Sequence, residues 1–391
     1  MTTSANRPIL IDGGCWANER GFGRFARCLL SAMAPLAHTG ELMLLIDAES
    51  EAAHPVPAGL DIRRVASSAS PSAAAAAGGA RTIPDLLRFA RSAREAHPSV
   101  VFFPATYTYF PTPGLPTVVT VHDAMAESMP ELIVPRRIDR WRWNAKQRLA
   151  LRSAAHVFTV SDDAATQVQA RLAVRPTRIT VIGEAADPVF RPIDPDIARD
   201  HLARLDRRVP YVLYVGGFGP HKNVGALIAA FELVAQTNPC LELVLVGALD
   251  DPFLPSSKLL TAQIQASAMA SRIALTGFVA DDELVTLYNG ATVTVLPSLE
   301  EGFGLTAVES AACGTPVVAN RLPSVQASLG DAAVFVDACR PQDLADGMRR
   351  IMDDGEHRAR LSQRGLDRTT ELSWGRPAAT VLQRLRSFSR S

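Results

Sequence analysis

Two glutamates eight residues apart, Glu301 and Glu309, enclose a Gly-Phe-Gly within the segment Leu296–Ser310. The pattern predicts a strand ending at Leu296, a short loop carrying Glu301, and a helix beginning near Leu305. Glycines in such a loop let backbone N–H groups approach a ligand. The helix start adds unpaired donors and the positive end of a dipole, a combination suited to a diphosphate. Glu301 from the loop and Glu309 from the first helical turns can then meet one ligand from two directions. The helix dipole by itself would favour a glutamate there by about 0.3–1 kcal/mol, but two glycines at an exposed helix entrance carry an entropic cost that capping does not require. A second candidate is His122, at the end of the apolar run 117–121, where a parallel sheet presents its ligand-binding edge. Asp123 beside it reads as a turn or cap for the following loop.

These side chains need a scaffold, and the sequence supplies a regular one. β-rich runs alternate with amphipathic stretches, the pattern of parallel sheets covered by helices. Strands are predicted at 8–12, 42–47, 100–103, 117–121, 156–160 and 178–182, then at 211–216, 241–247, 272–275, 293–296 and 316–319. Helices are predicted at 224–235 and 341–352. Between the halves, residues 184–196 hold three prolines in nine residues, which rules out a continuous helix or a central strand. Both halves begin alike: 9–14 (ILIDGG) and 211–217 (YVLYVGG) each run a buried-type strand into paired glycines. The expected fold is α/β with two Rossmann-like domains, an N-terminal one over 1–186 and a C-terminal one over 187–373, their parallel sheets facing across a cleft, ligand at the carboxyl ends of the strands and a different ligand expected on each domain.

Length and charge agree with that division. A chain of 391 residues exceeds what one core usually supports. Forty Lys and Arg against 40 Asp and Glu give no basic surplus, so no nucleic-acid partner is expected. No apolar run reaches the roughly 18 residues of a membrane span, and the opening residues lack the apolar core of a secretory signal. Five scattered cysteines without a Cys-x-x-Cys fit reduced thiols in a cytoplasmic protein. Residues 67–79, rich in Ser, Ala and Gly, read as a surface loop, with a lid as the sharper alternative. The Asp194-Pro-Asp196 triplet sits in the linker before a helix and reads as a cap rather than a metal site. No His pair has ligand spacing, so no metal or other cofactor is expected.

Taken in order, these motifs resemble the retaining, nucleotide-sugar-dependent glycosyltransferases of family 4, which have the GT-B fold. The Glu301-to-Glu309 spacing is similar to their E-x7-E signature. The likeness extends to the Gly13-Gly14 loop, residues 21–25 (GFGRF), 121–123 (VHD), 160–162 (VSD), 220–223 (PHKN), 314–318 (GTPVV) and 330–333 (GDAA). The resemblance implies that Lys222 neutralises the donor diphosphate as the leaving group gains charge. It implies that backbone N–H groups of Phe303, Gly304 and Leu305 hold phosphate and sugar, that Glu301 takes the sugar hydroxyls and that Glu309 takes the ribose hydroxyls. Gly216 and Val279 join the donor site, with the stretch 277–279 against the base. From the N-terminal domain Gly14 would abut the phosphates and His122 the donor sugar. Helix 374–391 would close the chain by crossing back onto the first domain. Two positions depart from the pattern, with Gly217 where many relatives carry Arg and Ser324 where many carry Glu.

The implied activity moves a sugar from a nucleoside-diphosphate donor, a GDP- or UDP-sugar with GDP-mannose among the candidates, to an acceptor hydroxyl on a glycan, a lipid-linked sugar or a small molecule. Two rivals share the fold: an epimerase or hydrolase that consumes donor without acceptor, and a non-catalytic nucleotide-sugar-binding partner of a transferase. The stretch Arg136–Arg152 holds seven basic residues and one acid. On a helix it would set Ile138, Trp141, Ala145 and Leu149 on one face and Arg137, Arg140 and Arg148 on another. A solvated basic face is the plain reading. The sharper one is peripheral contact with the inner membrane face or with an anionic acceptor.

Overall fold

The computed structural model describes residues 7–68, 81–205, 207, 210–248 and 256–389. The chain divides into two compact units, Met1–Glu184 with Trp374–Ser391, and Ala185–Ser373. The division falls two residues before the boundary drawn from the linker prolines.

The first unit contains a seven-stranded sheet of β1 (Ile9–Asp12), β2 (Leu42–Ile46), β3 (Asp61–Arg64), β4 (Val100–Phe103), β5 (Thr117–Thr120), β6 (Ala154–Thr159) and β7 (Ile179–Val181), in the order β3-β2-β1-β4-β5-β6-β7. Every pairing is parallel. Strands β1, β4 and β5 are wholly buried, which explains the unbroken apolar or β-branched sequences of β4 and β5 and the apolar run of β1 up to Asp12: helices cover both faces, so no residue alternates toward water. The second unit repeats the plan with β8 (Tyr211–Val215), β9 (Glu242–Val246), β10 (Ile273–Gly277), β11 (Val293–Leu296), β12 (Val317–Asn320) and β13 (Ala333–Val336), ordered β10-β9-β8-β11-β12-β13 and again all parallel. The helices Val224–Ala235 and Pro341–Met352 occupy the predicted residues and share one apolar cluster with β8, β9 and β11.

In each sheet the strand order reverses next to the first strand, between β1 and β4 and between β8 and β11. Loops leaving the carboxyl ends of those two strands diverge, and the crevice they leave is where doubly wound folds bind ligands. Two strands went unpredicted. β3 (DIRR) is an edge strand with both terminal residues exposed, so charge replaces the apolar run. β13 is the opposite kind of edge, four residues directly after a single 3-10 turn.

The helix Gly375–Arg386 belongs to the first unit. Arg386 grips Glu41 with two parallel bonds, Nε to Oε1 at 2.6 Å and Nη2 to Oε2 at 2.7 Å. The Arg386 hydrogen bond holds the Glu41 carboxyl below its ordinary range. Trp374 lies edge-on to Phe25 at 5.6 Å, joining the helix to Gly21–Met33. All five cysteines are free. Of the loop predicted over 67–79, residues 69–79 lie outside the described residues.

Candidate functional site

The loop after β11 is held from several sides before any ligand arrives. The Asn223 amide donates to the carbonyls of Pro297 (3.2 Å) and Ala338 (2.8 Å), and the Asn320 amide donates to Ser298 O at 2.8 Å. Leu299 N–H donates to His221 O at 2.8 Å. From the helix Pro323–Leu329, buried Ser324 Oγ donates to Glu301 O at 2.7 Å and Ser328 Oγ to Phe303 O at 3.2 Å. Ser324 therefore fixes the backbone of the very residue whose carboxylate faces Lys222. An ionised glutamate there could not make this bond, because a carboxylate has no proton to donate to a carbonyl.

Gly304 ends the loop as the N-cap of the helix Leu305–Ala312, with φ +83° and no side-chain cap. A Cβ at this position would lie 2.9 Å from Val325 Cγ2 on a left-handed backbone, so glycine is required twice over. The helix begins with unpaired N–H groups and the positive end of its dipole, as an anion site needs.

At the other side of the same switch point, the short turn Pro220–Lys222 follows β8. It brings Lys222 Nζ to 2.6 Å from Glu301 Oε1, with the two side chains 20% and 11% exposed. Burial pushes the Glu301 carboxyl upward, but the Lys222 ammonium outweighs it and holds the group below its usual value. His221 beside the pair is driven down to about 4 by burial and then by the Lys222 charge, so its ring is neutral. Glu301 and Lys222, 79 residues apart, thus form one charge-balanced unit.

The other donor-site candidates fall at different depths. Phe303 is buried and Leu305 partly exposed at the helix start. Gly216 follows β8 directly, and Tyr214 Oη donates to the carbonyl of Gly217 beside it. Val279 follows the edge strand β10 and packs, partly buried, against the apolar cluster that includes Leu284 and Val246. Glu309 is fully buried and accepts from Tyr288 Oη at 3.1 Å.

In the first unit, His122 follows β5 and both its ring nitrogens are engaged. Nε2 lies 3.0 Å from Pro104 O and Nδ1 lies 3.3 Å from Glu184 Oε1. A carbonyl can only accept, and a carboxylate prefers a donor, so the geometry selects the doubly protonated ring. Burial pulls the imidazole down, but the Glu184 hydrogen bond and charge exceed it and the pKa is raised. Gly14 follows β1, and a Cβ on it would lie 2.1 Å from Arg81 Nη2 and 3.0 Å from Thr108 Cβ.

Sequence reasoning did not single out Asn320, Ser328, Glu184, Arg81 or Lys146. Asn223 carried a signal, since it follows Lys222 in the PHKN motif. The others are ordinary polar residues whose partners lie far along the chain.

The helix Arg137–Ser153 packs through Trp143, Gln147, Ala150 and Leu151. The stripe of Ile138, Trp141, Ala145 and Leu149 faces outward, with Ile138 55% and Trp141 68% exposed. Asp194 caps the helix Pro195–Arg204, accepting from Asp196 N–H at 2.8 Å. Among the described residues no group of three metal-ligating side chains converges, and no helix is long and apolar enough to cross a membrane.

Two doubly wound parallel-sheet units, with a lysine-carboxylate pair and an uncapped helix start at one switch point, define a GT-B type α/β protein. Comparison with known proteins agrees. Residues 20–190 match the model of Glycosyltransferase Family 4 and residues 201–368 that of Glycosyl transferases group 1. The two models together span both units, and the chain is a family 4-like glycosyltransferase of GT-B fold. A D-inositol 3-phosphate glycosyltransferase of Nocardiopsis dassonvillei is 30% identical over 240 residues, 59% of this chain and 56% of the relative. The chain thus spans about half the length of the curated relatives it matches. Among solved structures, sucrose-phosphate synthase of Thermosynechococcus elongatus superposes with a TM-score of 0.77 at 21% identity, over 98% of this chain and 100% of the other. HepE of Anabaena, in complex with UDP and glucose, gives 0.75 at 19% identity over 97% and 100%. These two show the shared fold.

Proposed function

We propose that the protein transfers a sugar from a nucleoside-diphosphate donor to an acceptor hydroxyl with retention of anomeric configuration and without a metal ion. The observation that carries this reading is the Lys222–Glu301 pair at the second switch point, beside the uncapped start of the helix Leu305–Ala312. In the free protein Lys222 is neutralised by Glu301. A bound diphosphate competes for the ammonium, and the helix-start N–H groups supply further donors. Glu301, freed from its partner, turns its acceptor oxygens to sugar hydroxyls.

Transfer forms the bond from the acceptor oxygen to the anomeric carbon as the bond to the phosphate oxygen breaks. The acceptor proton passes to the departing phosphate, and the nucleoside diphosphate leaves. Lys222 stabilises charge that grows on that phosphate in the transition state, the role a metal would otherwise fill. Glu309 takes the ribose hydroxyls. A panel of GDP- and UDP-sugars, each tested with and without acceptor, checks the reading. Acceptor-dependent release of nucleoside diphosphate that survives a chelator is expected. Donor consumption without acceptor would indicate a hydrolase or epimerase instead, and binding of donor without turnover would indicate a non-catalytic partner.

The outward stripe on the helix Arg137–Ser153 favours a second, narrower reading: peripheral binding to an anionic lipid surface. Arg137, Arg142, Arg148 and Arg152 are exposed on the same helix. An apolar row beside basic side chains is the pattern of an interfacial helix. Co-sedimentation with vesicles of phosphatidylglycerol should fall when Trp141 and Ile138 are both changed to Ser, and should be absent with phosphatidylcholine vesicles.

A further inference from the structure

The first switch point holds charge that the reading above does not use. Arg81, whose side chain is only 4% exposed, lies with its guanidinium 4.0 Å from the centroid of Phe89 and 5.3 Å from that of Phe110. Its Nη2 donates to Asp12 Oδ1 at 3.2 Å, at the carboxyl end of β1. Asp12 also accepts from Thr108 Oγ1 at 2.5 Å and from the Gly14 N–H. One carboxylate is therefore served by three donors, while Arg81 Nε and Nη1, both closed to solvent, find no acceptor among the described residues. Buried N–H donors without acceptors are costly and rare, and each calls for an explanation.

Lys146 approaches the same edge from the helix Arg137–Ser153. Its Nζ donates to Tyr107 O at 3.1 Å, in the turn that follows β4, and sits 5.0 Å from the Trp143 ring. Among the described residues no carboxylate pairs with it. Burial pulls its ammonium down to about 8, and the neighbouring Arg81 charge pulls the same way. Two poorly solvated cations thus act on one another at this edge, and the one carboxylate that pairs with Arg81 already serves three donors. That arrangement is unfavourable until an anion joins it. A phosphate monoester can accept from both cations at once, whereas a neutral sugar would leave both charges uncompensated.

We propose that Arg81 and Lys146, at the carboxyl ends of β1 and β4, form a subsite for a phosphate group carried by the acceptor. The acceptor would thus be a phosphorylated polyol, sugar or lipid headgroup rather than a neutral glycan end. This rests on the transfer reaction proposed above, with the N-terminal unit taken as the acceptor side and the C-terminal unit as the nucleotide-sugar side. The subsite also gives Gly14 a reason beyond the donor: no larger residue leaves room for the Arg81 guanidinium.

Calorimetric titration of the full chain with inorganic phosphate, and separately with UDP and GDP, tests the idea. Wild type should bind phosphate, and Lys146→Gln and Arg81→Gln should weaken it by about tenfold or more, the loss expected for one charged hydrogen-bonded contact. Arg81→Gln strands the buried Asp12, so Lys146→Gln decides the matter if that variant does not fold. Lys222→Ala should keep phosphate binding, which separates this subsite from the donor diphosphate site. Absent phosphate binding in wild type, equal binding in Lys146→Gln, or loss in Lys222→Ala would overturn the proposal. Loss of nucleotide binding in Lys146→Gln would also overturn it, by assigning the cations to the donor. Nucleotide binding untouched by Lys222→Ala, with phosphate binding intact, would instead sink the donor reading and leave the anion subsite standing.

Discussion

The two switch points have the same architecture and opposite charge economy. At the second, Lys222 and Glu301 neutralise each other at 2.6 Å, and the surrounding loop is fixed by Asn223, Asn320, Ser324 and Ser328. At the first, Arg81 pairs with Asp12, a carboxylate that already accepts from three donors, and Lys146 meets no carboxylate among the described residues. A site closed by its own counter-ion stays soluble and stable while empty, and a ligand must displace that partner. A site with surplus charge is strained while empty and gains the full attraction when an anion arrives. The contrast suits a large donor with many contacts in one unit and a smaller charged group in the other.

The strongest break of this comparison is at Lys222. Lys222→Ala should lower transfer by at least ~100-fold, because the charge it meets grows in the transition state. Glu301→Gln, which keeps the shape, should also fall steeply. Initial rates at saturating donor measure both, and a near-wild-type rate for either removes its assigned role.

Next in size is the His122–Glu184 pair. A histidine whose folded pKa lies above the ordinary 6.5 stabilises the fold below that value, and the contribution fades as pH rises through the folded pKa. Glu184→Gln should therefore cost about 2–3 kcal/mol at pH 6 and progressively less toward pH 9. Chemical unfolding at each pH reads the difference, and a pH-independent gap would refute the charged pair.

Lys146 should show the reverse sign. Its folded pKa of about 8 lies below the 10.5 of a free lysine, so the unfolded chain binds the proton more tightly and the penalty is fully present at pH 7. Lys146→Met should stabilise the first unit by about 1–3 kcal/mol at pH 7, with the gain shrinking between pH 8 and 10.5. All four tryptophans, Trp16, Trp141, Trp143 and Trp374, belong to the first unit, so their fluorescence follows that unit's unfolding. A destabilised Lys146→Met would show that the ammonium is well accommodated and would erase the contrast between the two sites. The smallest effect is expected from Ser324→Ala, which removes the bond to Glu301 O. About 1 kcal/mol of loop support should appear as a several-fold rise in donor KM with little change in kcat.

Much of the fold was legible because parallel strands covered on both faces must be apolar along their length. The sequences of β1, β4, β5 and β8 announce themselves in this way. β3 did not, because an edge strand can carry Asp61, Arg63 and Arg64. The loop and helix around Glu301 were legible for a local reason: Gly304 needs a left-handed backbone, and its spacing to the next helix is fixed over a few residues. The sequence put Ile138, Trp141, Ala145 and Leu149 on one stripe without fixing which way it faces, and the structure turns it outward. The helix carries a second stripe, through Trp143, Gln147 and Ala150, and only packing against Tyr107 and the sheet chooses between them. Arg81 and Lys146 had no local signal, since one borders a loop and the other is one base among seven.

The sequence by itself determined two doubly wound units, the strand ends that carry the candidate site, and the segment holding Glu301 and Glu309. Those follow from periodicity and turn chemistry, which act over a few residues. The tertiary structure decided which charges meet: Lys222 with Glu301, His122 with Glu184, Arg81 with Asp12, and Lys146 with no carboxylate among the described residues. Partnership and desolvation depend on distances between residues tens of positions apart, and no spacing rule along the chain encodes them.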